Sequence, residues 1–162
     1  MQPGLRVTAG SLALVAAAML AGAFAFEHLG KLAPCVLCWW QRYAWMAALA
    51  PAVVAWRGVG GRMGGFVLAL AAIATLAGAA TAFFHVGVEQ AWWPGTAECG
   101  TPFGSEMTTE ERLKLLLGQP VLRCDQIAWS MLGISMAGWN GLVALVAGGL
   151  ALTVALRQIM AR

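Results

Sequence analysis

Four long stretches without a charged residue, or nearly so, leave this chain few ways to fold. The first runs from Val7 to Phe26 between Arg6 and Glu27, the third from Met63 to Val88 between Arg62 and Glu89, and the fourth lies within Gln126 to Leu156. The second, from about Leu37 to Trp56, contains Arg42 about a turn and a half inside its start. A helix crosses the hydrocarbon core of a bilayer with about 20 apolar residues, so each stretch is long enough to span one. Composition points the same way: 60% of the 162 residues are hydrophobic and 10% are charged, against about 25% charged in an ordinary soluble chain. That speaks against a water-soluble globule. The formal charge of +3 is also too small and scattered for a nucleic-acid binder, which would gather a basic face.

The expected fold class is therefore all-α. It is an integral membrane four-helix bundle in a single membrane domain, 1–162, with spans at about 7–26, 37–56, 63–88 and 129–156 and a large outer loop at 89–125. Ala23 and Ala25 resemble a signal-peptidase site, but the uncharged stretch exceeds the roughly 7–15 residues of a signal-peptide core, and a retained helix is expected. Within the loop, Thr108 and Glu111 fit a capping box, followed by Leu113, Leu115, Leu116 and Leu117 and a stop at Gly118. This predicts a short amphipathic helix lying on the membrane surface, with docking to a partner protein as the alternative use of its apolar face. Gly61 and Gly65 stand at a spacing that suits close helix packing.

Orientation follows from the arginines and lysines near the span ends. One side carries Arg6, Arg57, Arg62, Arg157 and Arg162 and no acid; the other holds Lys31, Arg42, Arg112, Lys114, Arg123 and all seven acids. The net charge thus divides into +5 and −2, and the acid-free side, with both termini, is expected to be cytoplasmic. All four cysteines then fall on or near the outer side, which in a bacterium is the disulfide-permissive periplasm. Trp39, Trp40, Trp92, Trp93 and Trp129 near outer helix ends, and Trp56 beside Arg57, suit an interfacial aromatic belt better than a ligand site.

The segment Pro34-Cys35-Val36-Leu37-Cys38 opens the second span. A helix start presents unsatisfied N–H groups and the positive end of the backbone dipole, which favour thiolates, the reactive form in disulfide exchange. Cys35, Cys38 and Arg42 recur at i, i+3 and i+7, on one helix face. A cation at that depth would stabilise a thiolate or a reduced acceptor; the alternative is a side chain that snorkels to lipid phosphate. A zinc site would more often show paired C-x-x-C or Cys with His at ligand spacing, and a haem-attachment motif would need His where Trp39 stands; no metal is expected. Cys99 and Cys124, 25 residues apart, are compatible with a passive structural disulfide when taken alone. His85, one turn before Glu89, reaches the same outer depth as Cys38 and Arg42. It is suited to hydrogen-bond an acceptor or to move a proton, or simply to face water at a helix end. His28 is expected to be exposed.

With these residues in place the chain resembles the DsbB family, the bacterial disulfide bond formation protein B, over nearly its whole length. The resemblance rests on four spans, the Pro34–Cys38 motif, Arg42 four residues after Cys38, His85 near the end of span three, and a second Cys pair before span four. It implies a protein-disulfide:quinone oxidoreductase of the bacterial inner membrane. A DsbA-like periplasmic thiol oxidase would reduce a Cys99–Cys124 disulfide, with Cys99 attacked first. That dithiol would exchange with Cys35–Cys38, and Cys38 would face a bound quinone, ubiquinone or menaquinone, flanked by Arg42 and His85. Two other readings stand beside it. A reductase of the vitamin K epoxide reductase type places its C-x-x-C toward the last helix rather than the second, and a small membrane scaffold or transporter would use its cysteines only structurally.

Overall fold

The structure is a computed structural model and describes residues 3–99, 108 and 123–161. The proposed surface helix after Thr108 lies outside the described residues. Among those described, four long helices carry the fold: α1 Pro3–His28, α2 Val36–Arg57, α3 Gly61–Glu89 and α4 Met136–Met160. The helices α1, α3 and α4 are each long and apolar enough to cross a membrane. At 1.5 Å per residue the 22 residues of α2 extend about 33 Å, enough to match them; Gln41 and Arg42 make it less apolar than its neighbours.

Side-chain size sorts in a way that suits a lipid surround. Ala9 and Ala16 of α1, Ala48, Ala52 and Ala55 of α2, Ala71 and Ala72 of α3, and Ala144, Ala151 and Ala155 of α4 are fully buried. Leu14, Phe66, Leu70, Ile73 and Leu150 face outward. Small residues let helix backbones approach where no hydrophobic effect drives them together, and large apolar residues meet lipid at no penalty. The helix α3 packs chiefly on α4 and α2. At Gly148 an added Cβ would stand 2.9 Å from Leu76 Cγ, and at Gly65 it would stand 2.8 Å from Ile159 Cγ1. Gly65 therefore makes the close approach its spacing suggested, whereas a Cβ on Gly61 would meet nothing.

The α2–α3 turn, the start of α1 and the end of α4 share one end of the bundle. There Arg6 Nε donates to the carbonyl of Trp56 at 3.2 Å, and Gly65 touches Ile159. The cysteines sit at the other end.

The fourth helix begins later than the apolar run suggests. Residues 129–135 form a hairpin, with strands β1 Ser130–Met131 and β2 Ile134–Ser135 paired antiparallel. Leu132 and Gly133 turn it at φ values of 54° and 77°, two consecutive left-handed residues as a tight hairpin turn needs. Ser135 then caps α4, its hydroxyl accepting from the Gly138 N–H at 3.1 Å. An apolar count cannot distinguish a Trp-, Met- and Leu-bearing hairpin from the first turns of a span.

Candidate functional site

Cys35 is the N-cap of α2, and its sulfur accepts the Cys38 N–H at 3.3 Å. The capping geometry that starts the helix therefore also turns both thiols inward from one turn, with their sulfurs 2.8 Å apart. No bond joins them in this structure. Cys35 is buried and Cys38 half-buried.

Cys99 and Cys124 are joined in a disulfide with Cα atoms 5.1 Å apart. Cys99 closes a short 3-10 turn, Ala97–Cys99, and the Cys124 N–H donates to the Cys99 carbonyl at 3.1 Å. Both are almost wholly buried, and they form one cluster with Cys35, Leu37 and Val88, against which Cys38 packs. Two Cys pairs distant in sequence, one bonded and one not, thus share a single buried patch. Beside it, Arg123 forks onto Asp125, Nε to Oδ1 at 2.9 Å, and holds that exposed carboxyl below its usual range.

His85 reaches the patch from α3. Its Nε2 lies 3.7 Å from Cys35 Sγ and its Nδ1 lies 3.0 Å from Gln41 Nε2. The Cys124 backbone also approaches the imidazole. One turn on, Glu89 places Oε1 4.0 Å from Nε2, while its Oε2 is buried with no hydrogen-bond partner among the described residues. The ligand atoms of Cys35, Cys38 and His85 all lie within 4.8 Å of one another.

Arg42 shares a cavity wall with both thiols, as its spacing predicts, but its charge is directed to α1. It donates to Glu27 Oε2 and, through the other terminal nitrogen, to the Ala23 carbonyl at 3.0 Å. Its guanidinium carbon lies 5.0 Å from the ring centroid of Phe24 and 4.9 Å from that of Trp39. At 6% exposure it is paired inside the bundle rather than extended to the interface. Four helices enclose the cavity, about 340 Å³, whose wall includes Cys35, Cys38, Arg42, His85, Met19 and Phe26. That volume and its mixture of apolar surface with a few polar groups are those of a small-molecule site, roughly 300–1,000 Å³. His28 is exposed, stacked on Phe24 with centroids 6.2 Å apart.

Sequence reasoning did not pick out Gln41, Trp45 and Asn140 as site residues, nor Glu27 as the partner of Arg42. A signal existed for two of them, because Gln41 and Asn140 are polar side chains within membrane-length helices, where such groups are costly and functional by default.

The family described as "Disulfide bond formation protein DsbB" matches residues 5–154 of the chain. The Disulfide bond formation protein B of Marinobacter nauticus is 33% identical over 143 residues, covering 81% of this chain and 80% of that protein. Its counterpart in Herminiimonas arsenicoxydans is 36% identical over 134 residues, covering 80% and 81%. The protein of the same name in Aromatoleum aromaticum is 32% identical over 133 residues, covering 78% and 77%. No solved structure matches the chain.

Proposed function

The chain belongs to the DsbB family, a membrane oxidoreductase family of disulfide bond formation, and on that premise we propose that it reoxidises a DsbA-like thiol oxidase at the expense of a membrane quinone. The cytoplasmic face is then the end with Arg6, Arg57, Arg62 and Arg157, and the cysteine end faces the periplasm across the bacterial inner membrane.

The relay conserves electrons at each exchange. A partner thiolate attacks Cys99, the bond to Cys124 breaks, and Cys124 takes the electron pair. The partner's second thiolate displaces Cys99 and leaves as a disulfide. The Cys99–Cys124 dithiol next reduces a Cys35–Cys38 disulfide by the same two exchanges. When Cys35 and Cys38 rejoin, two electrons pass from Cys38, with two protons, to the quinone, which departs as quinol. The single observation that carries this reading is the shared buried patch: the Cys99–Cys124 disulfide packs against Cys35 and Cys38, whose sulfurs are 2.8 Å apart and which line the cavity.

A quinone ring needs a flat apolar cavity open to lipid chemistry and a few donors for its oxygens. The cavity supplies apolar walls, with Arg42 and His85 as the cationic and N–H groups beside Cys38. The energetic demand is steep as well. A DsbA-like oxidase lies near −120 mV, and each ~30 mV of two-electron gap is worth ~1.4 kcal/mol, so only a still more oxidising sink regenerates it.

The test is quinol formation, followed by absorbance, when purified protein and a soluble quinone are mixed with a reduced DsbA-like oxidase. Steady quinol production supports the proposal. Its absence, with the oxidase still being turned over, would transfer the electrons to another acceptor and refute it.

A further inference from the structure

A line of buried amides behind His85 carries information that the cysteine chemistry does not. Trp45 Nε1 lies 2.7 Å from Asn140 Oδ1, Asn140 Nδ2 lies 2.6 Å from Gln41 Oε1, and Gln41 Nε2 lies 3.1 Å from the Leu37 carbonyl and 3.0 Å from His85 Nδ1. Trp45, Asn140, Gln41 and His85 are all at least 92% buried, so their hydrogen bonds are made chiefly to one another. Oxygen and nitrogen of a side-chain amide are interchangeable by shape, and the direction of such a chain must come from partners that can act in one way only.

Both ends of this chain have such a partner. An indole N–H can only donate, so the Asn140 atom facing Trp45 is its oxygen and the atom facing Gln41 is its NH₂. A backbone carbonyl can only accept, so the Gln41 atom facing Leu37 is its NH₂ and its oxygen receives Asn140. Both fixed partners lie on α2, Trp45 acting through Asn140 of α4 and Leu37 acting on Gln41 directly, and the two directions agree. Gln41 then spends one hydrogen on Leu37 and has one left, directed at His85 Nδ1. That nitrogen must accept, and so it carries no hydrogen.

We propose that Gln41, Asn140 and Trp45 are positioning residues that hold His85 as the tautomer with hydrogen on Nε2, so that the imidazole meets the Cys35 sulfur as a hydrogen-bond donor. The inference deepens the thiol-oxidase reading and rests on it for its function. When Cys35 leaves as a thiolate from its mixed disulfide with the Cys99–Cys124 pair, whose own disulfide re-forms, the electron pair collects on an atom that faces an N–H 3.7 Å away. No proton need move in that step. Glu89 Oε1 stands 4.0 Å from the same nitrogen, beyond hydrogen-bond distance. A metal bound by Cys35, Cys38 and His85 would require the Nε2 lone pair, the position this network fills with hydrogen.

The tautomer is directly visible in ¹⁵N NMR, and the chain has only two histidines. In a His28→Gln background, with the protein reduced and held in lipid nanodiscs, His85 should show a bare nitrogen at Nδ1 and a protonated one at Nε2. A protonated Nδ1 in this otherwise unaltered protein overturns the proposal. Gln41→Glu changes one atom of the chain: the new carboxylate still accepts from Asn140 but brings no hydrogen to Nδ1. Whichever way it turns, an oxygen faces Nδ1, and the hydrogen should move to that nitrogen. Disulfide exchange at Cys35 should fall by about 100-fold in kcat, the low end of what loss of one preorganised donor to developing negative charge costs. Retention of hydrogen on Nε2 in Gln41→Glu would show that the amide does not set the tautomer. If the tautomer is as stated and the unaltered protein forms no quinol, the functional reading fails and the positioning network stands.

Discussion

Replacing Glu27 tests the buried charge at the cavity wall. The Arg42–Glu27 side chains are 7% and 22% exposed, so removing the carboxylate leaves a guanidinium with little water to replace it. Breaking a fully buried pair from one side costs about 3–5 kcal/mol. Here Arg42 keeps the Ala23 carbonyl and the faces of Phe24 and Trp39, each ring worth about 0.5–2 kcal/mol to a cation. For Glu27→Ala we therefore expect the lower end, about 3 kcal/mol. Glu27→Gln, which retains a neutral acceptor, should lose about half of that, since hydrogen bonds to charged groups are roughly twice as strong as neutral ones. At about 2–4 °C per kcal/mol for a chain of this size, Glu27→Ala should melt about 6–12 °C lower in detergent micelles. The double variant Glu27→Ala with Arg42→Met removes the stranded charge, so it should be more stable than the sum of the single losses by about 2 kcal/mol. Strict additivity, or a Glu27→Ala protein that melts with the parent, would refute the claim that Glu27 neutralises Arg42 inside the bundle.

Three further outcomes follow from the geometry. Arg42→Gln should raise the apparent KM for quinone more than that for the thiol oxidase; equal effects in steady-state kinetics would leave Arg42 without a particular relation to the acceptor. Cys124→Ala should accumulate a mixed disulfide between the partner and Cys99, identified by peptide mass spectrometry, and capture through Cys35 would contradict the proposed entry point. Gly148→Val should destabilise the α3–α4 contact by about 1–3 kcal/mol, because its Cβ would stand 2.9 Å from Leu76 Cγ and 3.3 Å from the Ala72 carbonyl; an unchanged melting temperature would mean the helices separate more freely than drawn.

Much of the architecture is legible in the sequence because a bilayer imposes a long apolar run on every span. Helices 1 to 3 lie close to the expected stretches, and α2 is recognisable despite Arg42. The start of α4 is not legible, since residues 129–135 owe their hairpin to two left-handed residues, Leu132 and Gly133, and only the glycine advertises it. The cysteines announce themselves by spacing, and the proximity of Cys35 to His85 follows from their similar depth. Pairings between helices leave no such trace. Counting charges assigns Glu27 and Arg42 to the same side without joining them, and Trp45 finds Asn140 across 95 positions. These contacts depend on how four helices rotate against one another, which alanines and glycines decide collectively rather than by any local motif.

In the proposed relay, electrons enter at Cys99–Cys124 and leave only through Cys35–Cys38. Its most direct test is a Cys35→Ser/Cys38→Ser variant mixed with excess reduced thiol oxidase and quinone, with partner disulfide and quinol counted in the same quenched sample. One equivalent of oxidised partner per protein is expected, drawn from the single remaining disulfide, and no quinol. Continued oxidation of the partner with matching quinol would contradict it.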